Sequence, residues 1–271
     1  MNKRELRVGI VGMGTIGRAI AQSLDKRDMA ARLVAVHSQN IEKLYGFVRT
    51  LQHQPQVLGL MQLIAACDLV IEAATQAALA TLAPPTLEAG KDLMVLSVGG
   101  LLDYPEWAHL AARHGCKLYI PSGAIVGLDG VKGACMGHVE SVTITTRKPP
   151  QGLAGAPYVE EHGIDVFALT EDTVIFEGSA RQACKGFPAN VNVSAALSLA
   201  GIGPDRTRSR IIAVPHGTRN IHDIDILGEF GRMSVRIENV PSATNPRTGK
   251  LSYLSAIAML KEIVGPVQCG N

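Results

Sequence analysis

The sequence predicts an α/β protein of two domains, with a doubly wound parallel sheet first and an α+β domain on a mixed or antiparallel sheet second. As far as Pro121, short apolar runs alternate with segments whose apolar residues have helical spacing. This alternation is typical of parallel strands connected by helices on both faces of a sheet. Beyond Pro121 the spacing changes to a period of two, first over residues 141–148. That period indicates half-buried strands of an antiparallel or mixed sheet.

A glycine-rich turn between a strand and a helix opens the chain. The apolar run 6–11 leads directly into Gly-Met-Gly-Thr-Ile-Gly at 12–17, and apolar residues then recur at helical spacing as far as Leu24. In this Rossmann fingerprint the first glycine allows a tight turn, the second lets the backbone approach a pyrophosphate, and the third lets the helix pack on the strand. The helix N-terminus then favours the anion. The predicted cofactor-binding residues here are Gly12, Gly14, Thr15, Ile16 and Gly17.

The second predicted strand, at 32–36, ends without the carboxylate that usually binds the adenosine ribose hydroxyls in this fold. His37 and Ser38 occupy that place. Because a carboxylate would repel a 2′-phosphate, its absence predicts that both NAD and NADP serve as cofactors.

Ligands of doubly wound sheets bind at the carboxyl ends of the strands. Three further strands are predicted at 67–73, 91–96 and 117–120, with helices at 44–51, 75–83 and 103–113. Ala74 follows the first of these strands and is predicted as a further cofactor contact. The residues predicted to share the crevice are Gly12, Ala73, Ala74, Thr75, Ser97 and Gly99.

Composition and charge narrow the class of protein. The 271 residues have a formal net charge of +2, so neither a nucleic-acid partner nor a membrane partner is predicted. The first residues are charged and no apolar leader follows them, so we expect no signal peptide and a cytoplasmic location. The five cysteines are scattered and form no C-x-x-C pair, so no metal site and no disulfide framework are predicted.

Residues 1–121 are predicted to form the dinucleotide-binding domain, and 122–242 a second domain for substrate binding, catalysis and oligomerisation. An exposed loop is expected at 149–157 because that segment is rich in glycine and proline. The C-terminal region 243–271 contains helical spacing, so it is expected to pack back on the first domain. The later strands are predicted at 173–178, 206–213, 221–227 and 233–239, and the terminal helix at 251–264.

Six ordered motifs of the second half together identify a family. They are Pro121–Ile125, Thr145–Pro149, Val174–Ala180, Phe187–Val193 with Ala195–Gly201, Asn220–His222 with Gly228–Gly231, and Asn245–Thr248. The chain resembles the L-aspartate dehydrogenase family over essentially its whole length. It departs from the family pattern at two places: the carboxylate after the second strand is missing, and Val214 stands where the family usually has Asp.

The resemblance implies an NAD(P)-dependent oxidative deamination of L-aspartate to iminoaspartate. Water then hydrolyses the imine to oxaloacetate and ammonium, or the imine is released toward NAD biosynthesis. By the same resemblance, Ala124 and Asn190 bind the dinucleotide and His222, in the Asn-x-His motif, is the active-site histidine. A homodimer with small-molecule ligands is expected.

Histidine suits the proton transfers of such a reaction because it titrates near neutral pH. Among the eight histidines, His216 and His222 fall near the ends of predicted strands in the second domain. The residues alone do not choose between them, and the resemblance favours His222. Asn245 and Thr248 either cap the terminal helix or face the cofactor.

A dicarboxylate substrate needs cationic or polar anchors, because Arg and Lys donate charge-assisted hydrogen bonds to carboxylates. Long basic side chains also lie on solvated sheet edges, so each basic candidate has this second interpretation. The substrate-binding candidates are Arg147, Lys148, Lys185 and Asn192.

Two other functions remain open at this point. One is a different two-domain oxidoreductase of the same architecture, such as a relative of homoserine dehydrogenase or dihydrodipicolinate reductase, because fold alone does not decide the substrate. The other is a non-catalytic dinucleotide sensor. A sensor should have a basic recognition helix or a partner-binding extension, and the sequence has neither pattern.

Overall fold

The computed structural model describes residues 5–189, 191–242 and 245–270, with only the backbone for 241–242 and 245–248. The described chain divides into two compact units. The first unit consists of the described residues as far as Pro121 together with Tyr253–Gln268. The second unit consists mainly of Ser122–Ser252.

The first unit is built on a parallel sheet of six strands in the order β3-β2-β1-β4-β5-β6. Its strands are β1 (Leu6–Val11), β2 (Ala31–His37), β3 (Gln56–Val57), β4 (Leu69–Glu72), β5 (Asp92–Val95) and β6 (Leu118–Tyr119). The predicted doubly wound parallel sheet is confirmed. The strand order reverses beside β1, which lies between β2 and β4. At such a reversal the connections leave on opposite faces and open a crevice at the carboxyl ends of the strands.

The helices of this unit follow their strands. They are α1 (Thr15–Asp25), α2 (Ile41–Val48), α3 (Leu60–Ala66), α4 (Gln76–Glu88), a 3₁₀ helix (Val98–Asp103) and α5 (Glu106–Arg113). The prediction of a helix at 44–51 placed it too late, because Asn40 caps α2: its Oδ1 accepts a hydrogen bond from the Lys43 amide at 3.0 Å. The segment predicted as one helix over 103–113 is two pieces that meet near Pro105.

The second unit is built on a five-stranded sheet in the order β11-β10-β7-β9-β8. Its strands are β7 (Val139–Lys148), β8 (Thr173–Ser179), β9 (Arg208–Ala213), β10 (Asn220–Gly228) and β11 (Gly231–Asn239). Only the β7–β9 pair in this sheet is parallel, so the predicted mixed sheet is confirmed.

Helices lie between these strands along the chain: α6 (Leu128–Ala134), α7 (Pro150–Leu153), α8 (Pro157–Glu161), α9 (Ala180–Gly186) and α10 (Asn192–Ala200). The prediction of an exposed loop over 149–157 is wrong. Pro150 occupies the first position of α7, where its missing N–H costs nothing, and Pro150, Gly152 and Leu153 are buried. Here the proline begins a buried helical turn, and the glycine lies within that turn.

The two faces of the second sheet differ in chemistry. The inner face buries Val142, Ile144, Ile224 and Ile226 in one apolar cluster with residues of α6 and α10. The outer face presents crossed ion pairs, of which Arg236–Asp223 and Arg232–Asp225 measure 2.9 and 2.7 Å. Successive residues of a strand point to opposite faces, so each strand contributes to both.

The chain ends in a short hairpin, β12 (Pro241–Ser242) and β13 (Asn245–Gly249), and the helix α11 (Lys250–Val264). Ala256 and Leu260 of α11 belong to the same buried apolar cluster as Val8 and Ile10 of β1. The side chains of Asn245 and Thr248, the predicted cap or cofactor contacts, lie outside the described residues. None of the helices in the described part of the chain is long and apolar enough to cross a membrane.

Candidate active site

The turn after β1 requires glycine at two places. Gly12 has φ +96°, a conformation that side chains disfavour, and a Cβ there would lie 2.5 Å from the carbonyl carbon and oxygen of Ala73. A Cβ at Gly17 would lie 2.0 Å from the Gly12 oxygen. At Gly14, in contrast, a Cβ would meet nothing within 4 Å. The backbone at Gly14 therefore borders open space, as the approach of a pyrophosphate needs.

The N-terminus of α1 suits an anion. Gly14 is its N-cap residue and provides no side-chain cap, and the first turn has no acidic residue. Thr15 and Ile16 are the first two residues of this eleven-residue helix. Since the amide groups and dipole of a helix N-terminus favour negative charge, these residues fit a dinucleotide pyrophosphate.

As predicted from the sequence, β2 ends in His37 at the place where this fold usually has a carboxylate. The His37 Nδ1 lies 2.9 Å from the Leu58 carbonyl oxygen, so its N–H donates to the backbone of the segment after β3. The side chain at this place is thus a hydrogen-bonding imidazole ring rather than a carboxylate.

A buried carboxylate that the sequence analysis missed lies at the end of β4. Glu72 has no exposed surface, and it accepts hydrogen bonds from the loops that follow both β4 and β5. Burial raises the pKa of Glu72, and hydrogen bonds from Ser97, Ala74 and Leu96 act against that rise. The signal in the sequence was a glutamate inside the otherwise apolar run 69–73.

In the second unit, the inner face of the sheet changes from apolar to polar at one end. On β7 the inward positions run Val142, Ile144, Thr146 and Lys148, and on β10 they run Ile226, Ile224, His222 and Asn220. The polar residues at this end are buried, and they are Thr146, Lys148, Asn220, His222 and Asn239. A buried polar group needs partners, so such a cluster is a candidate for binding or catalysis.

His222 lies at the centre of this polar end and is 2% exposed. It pairs in register with Thr146, and its Nδ1 shares a hydrogen bond of 3.0 Å with the Thr146 hydroxyl. Burial and then the positive charge of Lys148 lower the pKa of His222 from 6.5 to about 3. The imidazole is therefore neutral at physiological pH, whereas a free histidine side chain titrates near neutrality.

The other predicted substrate residues lie in different surroundings. Arg147 points to the outer face of the sheet, where it forms an ion pair with Asp223. Lys185 is exposed in the last turn of α9, and Asn192 is the half-buried first residue of α10. Lys148 and His222 are brought together, and Arg147 is not. The period of two over 141–148 already puts Arg147 and Lys148 on opposite faces, so the signal was present in the sequence.

Three further residues named in the sequence analysis are Ala124, His216 and Asn190. Ala124 is buried, and its carbonyl oxygen accepts a hydrogen bond of 2.9 Å from the Asn239 side-chain amide. His216 is exposed in a turn after β9 and takes no part in the inner face. Asn190 lies outside the described residues. Among the residues that the structure describes, no group of three or more His, Cys, Asp or Glu side chains is arranged to hold a metal ion.

Comparison with known proteins decides the family. The family model "Aspartate dehydrogenase, C-terminal" matches residues 129–263, and "Homoserine dehydrogenase, NAD binding domain" matches residues 12–121. The L-aspartate dehydrogenase of Methanosarcina mazei is 48% identical over 270 residues, which cover 98% of this chain and 100% of that protein. The chain belongs to the L-aspartate dehydrogenase family. The resemblance that the six motifs predicted is confirmed.

Other members and a solved structure agree with this assignment. The L-aspartate dehydrogenase of Bradyrhizobium diazoefficiens is 46% identical, with 95% of this chain and 91% of that protein covered. A crystal structure of aspartate dehydrogenase from Thermotoga maritima matches with a TM-score of 0.74 at 24% identity, over 98% of this chain and 99% of that one. The predicted NAD(P)-dependent oxidoreductase of the L-aspartate dehydrogenase family is confirmed.

The likeness to a solved homoserine dehydrogenase concerns the fold alone. A homoserine dehydrogenase from Thiobacillus denitrificans matches with a TM-score of 0.60 at 12% identity, and 73% of that chain is covered. At this level of identity the likeness concerns the arrangement of strands and helices, not the substrate.

Proposed function

We propose that this chain oxidatively deaminates L-aspartate with NAD or NADP, giving iminoaspartate and then oxaloacetate and ammonium. A dinucleotide held at the glycine turn would supply the nicotinamide that takes the hydride from the aspartate α-carbon. The observation that carries the proposal is the buried pair of Lys148 and a neutral His222 at the polar end of the second sheet. We include in the proposal that some iminoaspartate leaves the enzyme toward NAD biosynthesis.

The dinucleotide is assigned to the glycine turn and its neighbours. Gly12 and Gly17 provide the close packing, Gly14 the open approach, and Thr15 and Ile16 the first turn of α1. Ala74, Ala124 and Asn190 complete the set of cofactor-binding residues in the proposal. Support for Ala124 and Asn190 comes from their places in the family motifs.

His222 is proposed to take the proton in the reaction. A neutral imidazole accepts a proton at once, whereas an imidazolium must first lose one. Burial, and after it the positive charge of Lys148, hold the pKa of His222 low. A substrate carboxylate bound at Lys148 offsets that charge, and a nearby negative charge favours the protonated imidazole. Substrate binding thus offsets the smaller of the two causes that weaken His222 as a base.

Lys148 is the proposed anchor for a substrate carboxylate. It is 3% exposed and lies on the same face of the sheet as His222, two residues along β7 from Thr146. Lys185 and Asn192 remain secondary candidates in the proposal. Arg147 is assigned instead to the outer-face ion pairs, because its guanidinium is paired with Asp223.

A single assay tests the proposal. Purified protein is incubated with L-aspartate and either NAD⁺ or NADP⁺, and reduced nicotinamide is followed by absorbance, with L-homoserine and D-aspartate as control substrates. We expect turnover with L-aspartate alone, and kcat/KM for the two cofactors within about a thousandfold, which is roughly 4 kcal/mol. Turnover with L-homoserine and none with L-aspartate would reject the proposed substrate.

We further propose a homodimer located in the cytoplasm. Support for the dimer comes from the outer face of the second sheet, where the Arg and Asp side chains that pair within the chain can exchange partners with those of a second copy. Light scattering with size exclusion tests it. Arg232→Glu, which reverses one exposed charge of this face, should shift the wild-type dimer toward monomer, and an unchanged mass would assign the dimer to another surface.

A further inference from the structure

Glu72 connects two loops that leave the sheet separately. One carboxylate oxygen, Oε1, accepts from the Ala74 amide at 2.8 Å and from the Ser97 hydroxyl at 2.9 Å. The other, Oε2, accepts from the Ser97 amide at 2.9 Å and from the Leu96 amide at 3.3 Å. Ala74 follows β4 and Ser97 follows β5, so one side chain holds the carboxyl ends of two neighbouring strands.

An ionised carboxylate suits this position better than any neutral side chain. These four groups are all donors, and a carboxylate accepts with both oxygens whereas an amide accepts with only one. Hydrogen bonds to a charged acceptor are also stronger than neutral ones. Burial of a glutamate without such partners would destabilise the fold. An apolar residue at this position of the strand would avoid that free-energy cost.

The loop that Glu72 holds reaches the glycine turn. The residue between Glu72 and Ala74 is Ala73, whose carbonyl group lies only 2.5 Å from the place of a Cβ on Gly12. The Ala73 amide in turn donates to the Val11 carbonyl oxygen at 2.8 Å. Displacement of this loop by a fraction of an ångström would therefore move the backbone against which the Gly12 turn packs.

We propose that Glu72 is a positioning residue for the dinucleotide site: it fixes the loops after β4 and β5 in the arrangement that the cofactor binds. This rests on the assignment of the dinucleotide to the glycine turn and Ala74. Glu72 does not itself need to touch the cofactor. It keeps the loops in place before binding, so that the cofactor does not have to order them.

Glu72→Gln tests the proposal, with Asp68→Asn as the matched control. Both substitutions replace a carboxylate by its amide, Asp68 immediately before β4 and Glu72 as the last residue of that strand. Asp68 accepts from the backbone amide, Nε and Nη2 of Arg7, far along β4 from the glycine turn. Both variants should lower the melting temperature. Glu72→Gln alone should raise the Kd for NADH, by about tenfold if one charge-assisted hydrogen bond is lost.

The Kd is measured by titration with NADH in the absence of L-aspartate. It therefore stays informative even if the protein proves to oxidise another substrate. Equal NADH affinity in Glu72→Gln and the wild type would overturn the proposal, because Glu72 would then serve stability alone. An equal rise in Kd for Asp68→Asn would also overturn it, because the effect would then be a general loosening of the domain.

Hydrogen exchange of the wild type tests the same idea without a substitution, and decides it should Glu72→Gln fail to fold. We expect the amides of Ala74, Leu96 and Ser97 to be protected in the cofactor-free protein nearly as well as those of β4 itself. Fast exchange of these three amides that slows only when NADH is added would contradict a loop arrangement set before binding.

Discussion

The cofactor end of the first sheet and the polar end of the second sheet place their functional groups in opposite ways. The first uses backbone: glycines without side chains, and a helix N-terminus within the first twenty-five residues. The second uses side chains on the inner face of strands that are distant in sequence, such as Thr146 and His222, which are 76 residues apart. We therefore expect substitutions in the first region to change cofactor affinity, and those in the second to change the reaction itself.

The largest effect is expected at His222. His222→Ala should lower kcat by about 10²–10⁴-fold, the usual contribution of a general acid or base, and leave the Kd for NADH unchanged. Steady-state kinetics and NADH titration measure the two quantities. His216→Ala, a change at an exposed histidine six residues earlier, is the control. If the control loses more turnover than His222→Ala, the proton-transfer role belongs to His216.

The first region is tested at Gly14. Gly14→Val places a branched side chain in the open space where the pyrophosphate is proposed to bind, so the Kd for NADH should rise by about thirtyfold, or roughly 2 kcal/mol. The melting temperature should change little, because a Cβ at Gly14 meets no other atom within 4 Å. Gly46→Val on α2, where a Cβ also meets nothing within 4 Å, is the matched control. Unchanged affinity in Gly14→Val would place the pyrophosphate elsewhere.

Arg147 and Lys148 are neighbours on β7 but point to opposite faces of the sheet, so their substitution tests which face binds the substrate. Lys148→Met should raise the KM for L-aspartate by roughly tenfold or more, since a hydrogen bond to a charged group is lost. Arg147→Met removes a charge from the outer face and should change that KM by less than about twofold. The reverse order in a steady-state comparison would mean that the substrate carboxylate binds on the outer face.

The last prediction concerns acid stability, on which the titration of His222 has no effect at neutral pH. The pKa of His222 is about 3 in the folded chain against an ordinary 6.5, so between these values the unfolded chain binds a proton that the folded chain does not. The free energy of unfolding therefore falls as the pH is lowered from 6.5 toward 3. The contribution is at most about 1.4 kcal/mol per pH unit, and it vanishes above pH 6.5.

Urea denaturation at several pH values measures this slope. His222→Gln should lose part of the wild-type pH dependence in that window, and His216→Ala should keep all of it. A His222→Gln slope equal to that of the wild type would show that the imidazole is protonated, or hydrated, in the folded protein.

Part of the site could be predicted from patterns between residues that are close together in the sequence. The strand, the glycine turn and the helix at 6–25 depend on neighbours in the chain, and their bounds were predicted closely. The period of two at 141–148 depends on neighbours as well, and it separates Arg147 from Lys148. The short helix at 150–153 was missed because proline and glycine are typical of both loops and helix starts.

The sequence by itself determined the two-sheet architecture, the glycine turn and, through six motifs, the family. The tertiary structure decided which polar residues meet. Thr146 reaches His222 only because β7 and β10 pair in one particular register, and a shift by one residue would turn every side chain of a strand to the other face. Glu72 likewise acquires its role only where β4 and β5 lie side by side. Pairing between distant strands depends on the packing of the whole sheet, which no short stretch of sequence specifies.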